Sequence, residues 1–542
     1  MPRPIQLPLI SEAERTPLID QLVAQIEQLV QENLWQAETI QHLRDEIAVL
    51  KGEKAKPRFK PSGMEEETDP DSKAPQGSAK GDPPSKRPGS AKRSKTQHLT
   101  IHQEIVIAPT QPLPPGSRFK GYRDVVVQDI RIEPCNTRYR LEVWQTSEGE
   151  WLCGKAPAHL QGGHVGLTLR AFVLYQYHHC QVTQPLLHEQ LGEWGIDLSV
   201  GQIDALLSGH NEIFFAEKDQ VLVTGLAVSR SITVDDSGAR HKGKNGYVTQ
   251  IGNQWFAWFS STYSKSRINF LELLHAGSIR YDLNEHARAY LREQGLPQEP
   301  VRRLEAQPPE GITDPNRWVQ YLDTLGITTN RHRQIATEGA LLGGLIETGF
   351  SLDLVIVSDG AGQFAILLHA LCWVHAERLV HKLIPLNDRH REEQARVRGE
   401  IWDLYADLKA YQRNPDPAQA LLLKVRFDAI FTQRTAFETL NQTLKRLHGH
   451  KDELLLVLKR PDIPLHTNGS ENDIRGYVKW RKVSGGTRND LGKRCRDTFA
   501  SLKKTCRKLD ISFWEYLTDR IEQRGEIASL PDIIRRRALA AP

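Results

Sequence analysis

The fold of this chain is decided by the stretch SITVDDSGARHKGKNGYVTQIGNQWFAWFSST, residues 231–262. Its alternation of apolar and polar residues predicts three strands: SITVD, which ends at Asp235, then GYVTQIG and QWFAWFSST, separated by a GN turn. The segment SRINFLELLHAG, which follows, has the apolar spacing typical of a helix. The stretch therefore predicts a strand, a hairpin and a helix in succession, with a carboxylate at the end of the first strand.

A second strand that ends in an acid follows in LDLVIVSDGAGQF, residues 352–364. Its apolar run from Leu354 to Val357 predicts a short buried strand, and Asp359 lies just beyond it. Together with the first stretch, this order of elements describes an RNase H-like α/β core with Asp235 and Asp359 at neighbouring strand ends. Each acid taken alone also fits a turn, where Asp is common.

A third acid that fits the same site is Glu471, in HTNGSENDIRGYVKW. The residues before it predict a helix start, which places Glu471 in the first turn and Arg475 one turn later on the same face. Glu471 taken alone also suits the helix dipole. Carboxylates that meet repel each other unless a divalent cation lies between them, and oxygen-only ligands suit Mg²⁺ or Mn²⁺. We therefore expect Asp235, Asp359 and Glu471 to bind two such ions, as in many enzymes of phosphoryl transfer on DNA.

A basic stretch follows Glu471. From Lys479 to Lys508 there are eleven Lys or Arg residues and two acids, although the net charge of the whole chain is only +4. This bias beside an acidic metal site fits contact with a DNA phosphate backbone, and the alternative is a solvated charged face. Trp480 is expected to pack in the core rather than to stack on a base. The side chains that we expect to contact DNA are Lys479, Arg481, Lys482, Arg488, Lys493, Arg494, Lys503 and Lys504.

The N-terminal part of the chain carries a heptad pattern. In residues 18–52, Ile19 begins a series of a positions and Leu22 a series of d positions, and eight of the ten seam positions are aliphatic. This pattern, with Asn33 at one a position, predicts a parallel coiled coil that makes the protein a homodimer or a higher oligomer. The alternative is an amphipathic helix that packs on its own domain.

Composition and patterning predict the other segments. The segment QPLLHEQLGEWGIDLSVGQIDALLSGH predicts two helices around Gly195, with Ser199 as N-cap, in the outline of a DNA-binding helix-turn-helix. Two short helices around a glycine turn are also common in any helical domain. The predicted segments are a tail at 1–17, a disordered basic linker at 53–98, a small β-rich module at 99–160, the helical region at 161–222, the RNase H-like core at 223–510 and a helical tail at 511–542.

Composition also excludes several classes of protein. No apolar stretch approaches the roughly 18 residues that cross a membrane, and the N-terminus carries no secretory leader, so we expect a cytoplasmic protein with no membrane partner. The six cysteines lie far apart without a CxxC pair, so we predict free thiols and no zinc site.

The chain resembles the DDE transposases of bacterial insertion-sequence family sixty-six over nearly its whole length. The most specific matches are SDGAGQF, CWVHAERLVHKL, NGSENDIR and FWEYL. The resemblance implies that Asp235, Asp359 and Glu471 form the catalytic triad, and it favours Asp235 over the neighbouring Asp236. The long spacing of the three acids implies insertions near 277–348, mostly polar, and near 378–458, helical.

The resemblance also implies a supporting role for Cys372 and His375, a pair that many DDE enzymes carry after the second Asp. The alternative for this pair is a packed thiol and a core histidine. The chain departs from the family in the small module, where the paired zinc-binding cysteines are missing, and at Thr467 and Asn468, where the family has a doubled asparagine.

The function that the resemblance implies is DNA transposition by a bacterial, nucleoid-associated enzyme. Such an enzyme binds the terminal inverted repeats of its element, cuts at the element ends and joins the 3′-hydroxyl ends to target DNA. Its expected partners are double-stranded DNA, further copies of the chain and small accessory proteins of the same element. The alternatives are an RNase H-like nuclease without strand transfer and a non-catalytic DNA-binding protein derived from a transposase.

Overall fold

A computed structural model describes residues 16, 18–19, 21–26, 28–29, 32, 99–156, 164–309 and 311–540. The linker predicted at 53–98 and most of the coiled coil predicted at 18–52 lie outside these residues. The described residues between 18 and 29 are helical, and the seam residues Leu22, Ile26 and Leu29 are exposed. Dimerisation through a coiled coil stays a prediction.

The β-rich module predicted at 99–160 is wrong for most of its length. Residues 99–142 form no strand, and apolar side chains such as Val125 and Val127 are exposed. The strands present here are β1 (Val143–Gln145) and β2 (Trp151–Cys153), paired antiparallel with Val143 opposite Cys153. Alternating apolar residues favour an extended backbone, but a strand also needs a neighbouring strand to pair with.

Four helices follow the hairpin: α1 (Leu167–His178), α2 (Gln184–Glu193), α3 (Val200–Ser208) and α4 (Glu212–Val228). The predicted turn between α2 and α3 is confirmed, because Gly195 has φ +75° and Ser199 caps α3 in a capping box with Gln202. The domain boundary predicted at 222/223 is wrong, since it falls inside α4. An unbroken helix with buried residues on both sides of that point cannot serve as a linker.

The central sheet has five strands in the order β5-β4-β3-β6-β7. Strands β3 and β5 pair antiparallel to β4, whereas β6 runs parallel to β3 and β7 runs parallel to β6. A helix, α5 (Arg267–Leu274), follows β5 and is capped by Ser266. The strands are β3 (Ser231–His241), β4 (Lys244–Gly252), β5 (Ala257–Thr262), β6 (Val355–Ser358) and β7 (Leu368–Leu371).

This sheet confirms a mixed α/β fold and corrects two details of the sequence analysis. The strand predicted to end at Asp235 continues to His241, because β4 pairs with β3 without a break from Thr233 to His241. The turn predicted at GN is a four-residue loop, residues 253–256, in which the N–H of Trp255 donates to the side chain of Asn253.

Helices form the two insertions and the C-terminal part. The first insertion, predicted as mostly polar, is helical, and α9 is buried on all sides from Glu338 to Leu345. The first insertion holds α6 (Glu285–Glu293), α7 (Gln298–Ala306), α8 (Pro315–Thr324) and α9 (Asn330–Glu347). After β7 come α10 (Trp373–His381), α11 (Asp388–Arg413), α12 (Pro417–Thr432), α13 (Glu438–Gly449), α14 (Lys451–Leu454), a 3-10 turn (Leu456–Leu458), α15 (Asn468–Ser484), α16 (Asp490–Lys508), α17 (Phe513–Glu522) and α18 (Leu530–Ala540).

The sheet is covered on both faces. Ile232, Val234 and Ile356 join one core with α1–α4 and the C-terminal helices, whereas Val355 and Val357 join a second core with α10–α13. Covering both faces excludes water from the strands and leaves their carboxyl ends as the polar edge of the sheet. In the described part of the chain no helix is both long enough and apolar enough to span a membrane.

Helix α16 covers the outer edge of the sheet at β5. The N–H of Phe259 donates to Oγ of Ser501 at 2.9 Å, and the N–H of Ser261 donates to Oδ2 of Asp497 at 2.8 Å. These side chains take the place of a sixth strand, because an edge strand would otherwise leave its N–H groups unpaired. The covered edge fixes α16 and its basic residues against the sheet.

Candidate active site

The adjacent acids Asp235 and Asp236 lie in the middle of β3 and point to opposite faces of the sheet, since side chains alternate along a strand. Asp236 forms an ion pair with Lys265 and accepts a hydrogen bond from Nε2 of Gln363 at 2.6 Å. Oδ1 of Asp235 accepts the N–H of Asp236 at 2.7 Å. Asp236 is therefore engaged with side chains on one face, whereas Asp235 faces the other.

The second acid, Asp359, directly follows β6 and is exposed. Its Oδ1 accepts the N–H of Ala361 at 3.0 Å, which closes a tight turn. Gly360 has φ +93°, and a Cβ there would lie 3.1 Å from a methyl group of Leu371, so the turn needs glycine. The turn predicted for Asp359 is thus present, and it directs the carboxylate to the end of the sheet.

Strand register brings the first two acids to the same level of the sheet. Strand β6 runs parallel to β3, with Val357 opposite Thr233. Asp235 lies two residues beyond Thr233, and Asp359 lies two residues beyond Val357, so the two acids lie level on adjacent segments of the chain. The carboxyl ends of adjacent parallel strands form the edge where ligands of α/β proteins commonly bind.

Helix α15 brings the third acid, Glu471, in its first turn. Oγ of Ser470 lies 2.5 Å from Oγ1 of Thr233, which shares a strand face with Asp235. This buried contact fixes the start of α15 over β3, one residue before Glu471. The acid from a distant part of the chain therefore lies beside the strand that carries the first acid.

The charges of Asp359 and Glu471 both act on the carboxyl group of Asp235. The pKa of Asp235 is raised to about 6, chiefly by burial and then by the negative charges of Asp359 and Glu471, against the lowering effects of the Asp236 N–H and His375. Within the described residues, no group of three or more His, Cys, Asp or Glu side chains is arranged so that it could hold a metal ion.

Two basic side chains of α10 hold Glu471. Arg378 donates from Nη1 to Oε1 at 3.1 Å and from Nη2 to Oε2 at 3.4 Å, and Nε2 of His375 lies 3.3 Å from Oε1. Arg475, the cation predicted to support Glu471, is exposed one turn later on α15. The sequence analysis missed Arg378, although its position three residues after His375 in a predicted helix was the available signal.

The pair Cys372 and His375 lies at the start of α10, beneath Glu471. Cys372 is buried, and its Sγ accepts the N–H of Thr467 at 3.4 Å. Burial alone would raise the pKa of Cys372, but its interactions with His375 and Thr467 lower it. Burial alone would lower the pKa of His375, but Cys372 and Glu471 raise it. The pair thus joins α10 to the residue that precedes α15.

A buried Ser-His-Glu chain supports the turn of Asp359. Oγ of Ser358 lies 2.8 Å from Nε2 of His369, and Nδ1 of His369 lies 2.7 Å from Oε1 of Glu453. Ser358 is fully buried, and its Oγ also accepts the N–H of Gly360 at 3.1 Å. The three residue types match a hydrolytic triad, but a buried serine cannot reach a substrate. The chain instead connects β7 and α14 to the backbone on either side of Asp359.

The basic residues of α15 and α16 divide into two groups. Lys503 donates to the carbonyl of His179 at 2.9 Å, and Lys504 donates to the carbonyl of Asn472 at 3.2 Å and pairs with Asp473. These two lysines, predicted to contact DNA, connect α16 to α1 and α15 instead, and burial lowers the pKa of Lys503 to about 8. The exposed members of the predicted set are Lys479, Lys482, Arg488 and Arg494.

The remaining two members, Arg481 and Lys493, line a pocket beside the tip of the β3–β4 hairpin. Trp480 is buried between Tyr177 and His178, so its predicted packing role is confirmed. The basic side chains next to the acids therefore include a structural set and an exposed set.

Comparison with known proteins identifies relatives of this chain. The family described as Transposase IS66 family matches residues 324–494, a range that holds Asp359 and Glu471 and begins after Asp235. An uncharacterized protein, y4jO, of Sinorhizobium fredii (strain NBRC 101917 / NGR234) is 43% identical over 321 residues, which make up 59% of this chain and 100% of that protein.

Proposed function

The chain belongs to the IS66 transposase family, and we propose that it acts as a DDE transposase with Asp235, Asp359 and Glu471 as its catalytic acids. The observation that carries the proposal is the placement of these three carboxylates, because strand register sets Asp235 level with Asp359 and the contact between Ser470 and Thr233 fixes the start of α15 over β3. They come from β3, from the turn after β6 and from α15, at positions far apart in the chain. A purely structural role does not require three like charges to meet at one end of a sheet, because each raises the cost of ionising the others.

The order of the strands supports an RNase H-like core. Three antiparallel strands, β5, β4 and β3, are continued by two strands parallel to β3. The first acid lies on the central strand β3, the second directly follows the adjacent strand β6, and the third lies on a helix packed across β3 and β4. This is the placement that the sequence analysis expected for a site of phosphoryl transfer.

The donor set fits Mg²⁺ or Mn²⁺. Three carboxylates offer hard oxygen ligands, and a divalent cation would relieve the repulsion that raises the pKa of Asp235. Glu471, which Arg378 and His375 hold in this structure, would have to turn toward the other two acids to bind an ion with them. When two such ions are bound, they supply charge neutralisation for the attacking and the leaving oxygen in phosphoryl transfer.

The protein side chains supply position. Arg378 and His375 orient Glu471, and the Ser358 chain holds the turn of Asp359. The exposed Lys479 and Lys482 lie on α15, the helix that carries Glu471, so they suit the backbone of double-stranded DNA. We propose that the DNA is an element end in one step and target DNA in the next. A homodimer or higher oligomer of the chain binds it, and accessory proteins of the element are further partners.

The decisive experiment compares Asp359→Asn with the wild-type chain on DNA that carries the terminal repeats of its element. We expect the variant to bind the ends with unchanged affinity and to lose cleavage and joining by at least about 1,000-fold, because one metal-binding carboxylate is gone. Asp353→Asn, at an exposed position before β6, is the matched control and should retain activity. Joining of ends by Asp359→Asn at the wild-type rate would refute the proposal.

Ends that already carry a free 3′-hydroxyl separate the alternatives. A transposase joins such ends to target DNA, whereas a nuclease of the same fold cuts the uncleaved substrate and leaves pre-cut ends unjoined. A chain that binds ends specifically but does neither in Mg²⁺ or Mn²⁺ would be a DNA-binding derivative of a transposase.

A further inference from the structure

A pocket lies where the segment between α15 and α16 meets the tip of the β3–β4 hairpin. The N–H of Thr487 donates to the carbonyl of Arg240 at 3.1 Å, and the N–H of Lys242 donates to the carbonyl of Thr487 at 2.8 Å. These two bonds pair Thr487 with the end of β3 in the manner of a parallel strand. The glycine-containing basic segment is therefore bound to the sheet rather than projecting from it.

Two glycines allow this close approach. Gly485 has φ +71°, which terminates α15 in a conformation that favours glycine, and a Cβ at Gly486 would lie 2.6 Å from the carbonyl oxygen of Arg240. No other residue fits at Gly486 without displacing the segment from β3. The sequence GGTR thus builds a defined wall of the pocket.

Two arginines of the pocket carry charge that the protein does not neutralise. Within the residues that the structure describes, neither Arg240 nor Arg481 makes a side-chain hydrogen bond or ion pair. Arg481 lies against β3 at Gly238, where an added Cβ would be 3.5 Å from its Nη1. Both guanidinium groups therefore retain their donors for a ligand.

The other cations of the pocket are engaged within the protein. Lys493 pairs with Asp490 at 3.5 Å and lies over the ring of Tyr263, and Arg496 donates to the carbonyl of Gly485 at 2.8 Å. The exposed carboxylate of Asp490 also contacts His241 and Lys242. It therefore offsets charge on Lys242 and Lys493 but does not contact the two arginines. The pocket keeps a net positive charge and suits an anion with several acceptor oxygens.

The pocket lies along the strand that carries the first acid. Arg240 lies on the face of β3 opposite to Asp235, five residues beyond it, or about 17 Å along the strand. The position of Arg481 against Gly238 is about 10 Å beyond Asp235 along the same strand. One strand of duplex DNA carries a phosphate every 3.4 Å or so along the helix axis. These distances correspond to about three to five base pairs.

We infer that this pocket binds one DNA backbone phosphate, three to five base pairs from the phosphate that is cut, with Arg240 and Arg481 as its ligands. The inference rests on the proposed function for the identity of the DNA. Guanidinium groups bind phosphate oxygens in a bidentate manner, and a fixed phosphate beside the acids sets the register of the DNA on the protein. The rigid GGTR segment is suited to that role, because it holds the donors in place before DNA arrives.

The experiment measures binding of full-length protein to a terminal-repeat duplex in EDTA, where metal-dependent cleavage does not take place. A set of duplexes carries a neutral methylphosphonate at one position each, near the element end. We expect Arg481→Ala and Arg240→Ala each to weaken binding about 3- to 10-fold and to reduce the slope of log affinity against log salt by about 0.9. Arg481→Lys should recover part of the loss, and Arg317→Ala, at an exposed position on α8, should change nothing.

The methylphosphonate series identifies the phosphate. One methylphosphonate, three to five base pairs from the cut phosphate, should weaken binding of the wild-type protein. The same methylphosphonate should not weaken binding of the Arg481→Ala variant further, because both changes remove the same contact. The inference would be overturned if the loss of affinity from Arg481→Ala and the loss from the methylphosphonate were additive at every position. It would also be overturned if both arginine variants bound the duplex with unchanged affinity. A chain that shows this coupling but never cuts DNA would refute the proposed catalysis and leave the phosphate site intact.

Discussion

Asp235→Asn should make the protein more stable while it removes catalysis. The structure holds the pKa of Asp235 at about 6, above its ordinary value of 3.8, chiefly through burial and then through Asp359 and Glu471. The difference corresponds to about 3 kcal/mol of unfavourable free energy for the ionised carboxylate in the folded protein. Asparagine carries no charge, and its oxygen can still accept the N–H of Asp236.

The pH dependence has a definite sign. The folded state binds a proton at Asp235 more tightly than the unfolded state, so the free energy of unfolding falls as the pH rises from about 4 to about 6. Above about pH 6 the whole unfavourable free energy of the ionised carboxylate, about 3 kcal/mol, lowers the stability of the folded protein. At pH 8 we therefore expect Asp235→Asn to gain up to about 3 kcal/mol, and at pH 4.5 only about 1 kcal/mol.

The assay is urea-induced unfolding of the wild type and the variant in EDTA at the two pH values. Hydrogen exchange of the β3 amides reports the local opening, because a chain of this size unfolds in several steps. Added Mg²⁺ should raise the stability of the wild type and narrow the difference, since a ligand of the folded state stabilises it. The same unfolding midpoint for both proteins at pH 8, or an equal gain at both pH values, would refute the reasoning.

The neighbouring residue supplies the matched control for this prediction. Asp236 forms an ion pair with Lys265 and accepts a hydrogen bond from Gln363, so Asp236→Asn should lose about 1–3 kcal/mol at pH 8. Two identical substitutions at adjacent positions are thus expected to change stability in opposite directions.

Two further predictions concern the supports of the site. Gly486→Ala should displace the GGTR segment from β3 and lower the free energy of unfolding by about 1–3 kcal/mol. Gly399→Ala, in a helix of the second insertion where a Cβ has free space, should raise it by up to about 1 kcal/mol. Thermal unfolding measures both variants, and equal effects would contradict the packing argument. His369→Phe removes both hydrogen bonds of the Ser-His-Glu chain, so the turn of Asp359 should loosen. The Mg²⁺ concentration for half-maximal cleavage should then rise several-fold. An unchanged metal dependence would argue against a positioning role for His369.

Local chemistry made several elements of this protein predictable from the sequence. Alternation located the first strands, an apolar run located β6, and an N-cap serine located the start of α3. Asp359 and Glu471 were proposed because each follows or begins an element that could be recognised locally, whereas the choice of Asp235 over Asp236 depended on the family resemblance. These features depend on residues within a few positions of each other in the chain.

Only the tertiary structure decided which of these local features act together. The extended pattern of residues 99–142 found no partner strand, and the basic face of α16 proved to be divided, with Lys503 and Lys504 turned toward neighbouring helices. Arg378 reaches Glu471 across 93 residues of sequence. Ion pairs, strand pairing and desolvation depend on distances in space, and the chain sets those distances only when its cores close. The sequence by itself determined the segments that carry the three acids, and the packing of β3, β6 and α15 determined that these segments adjoin.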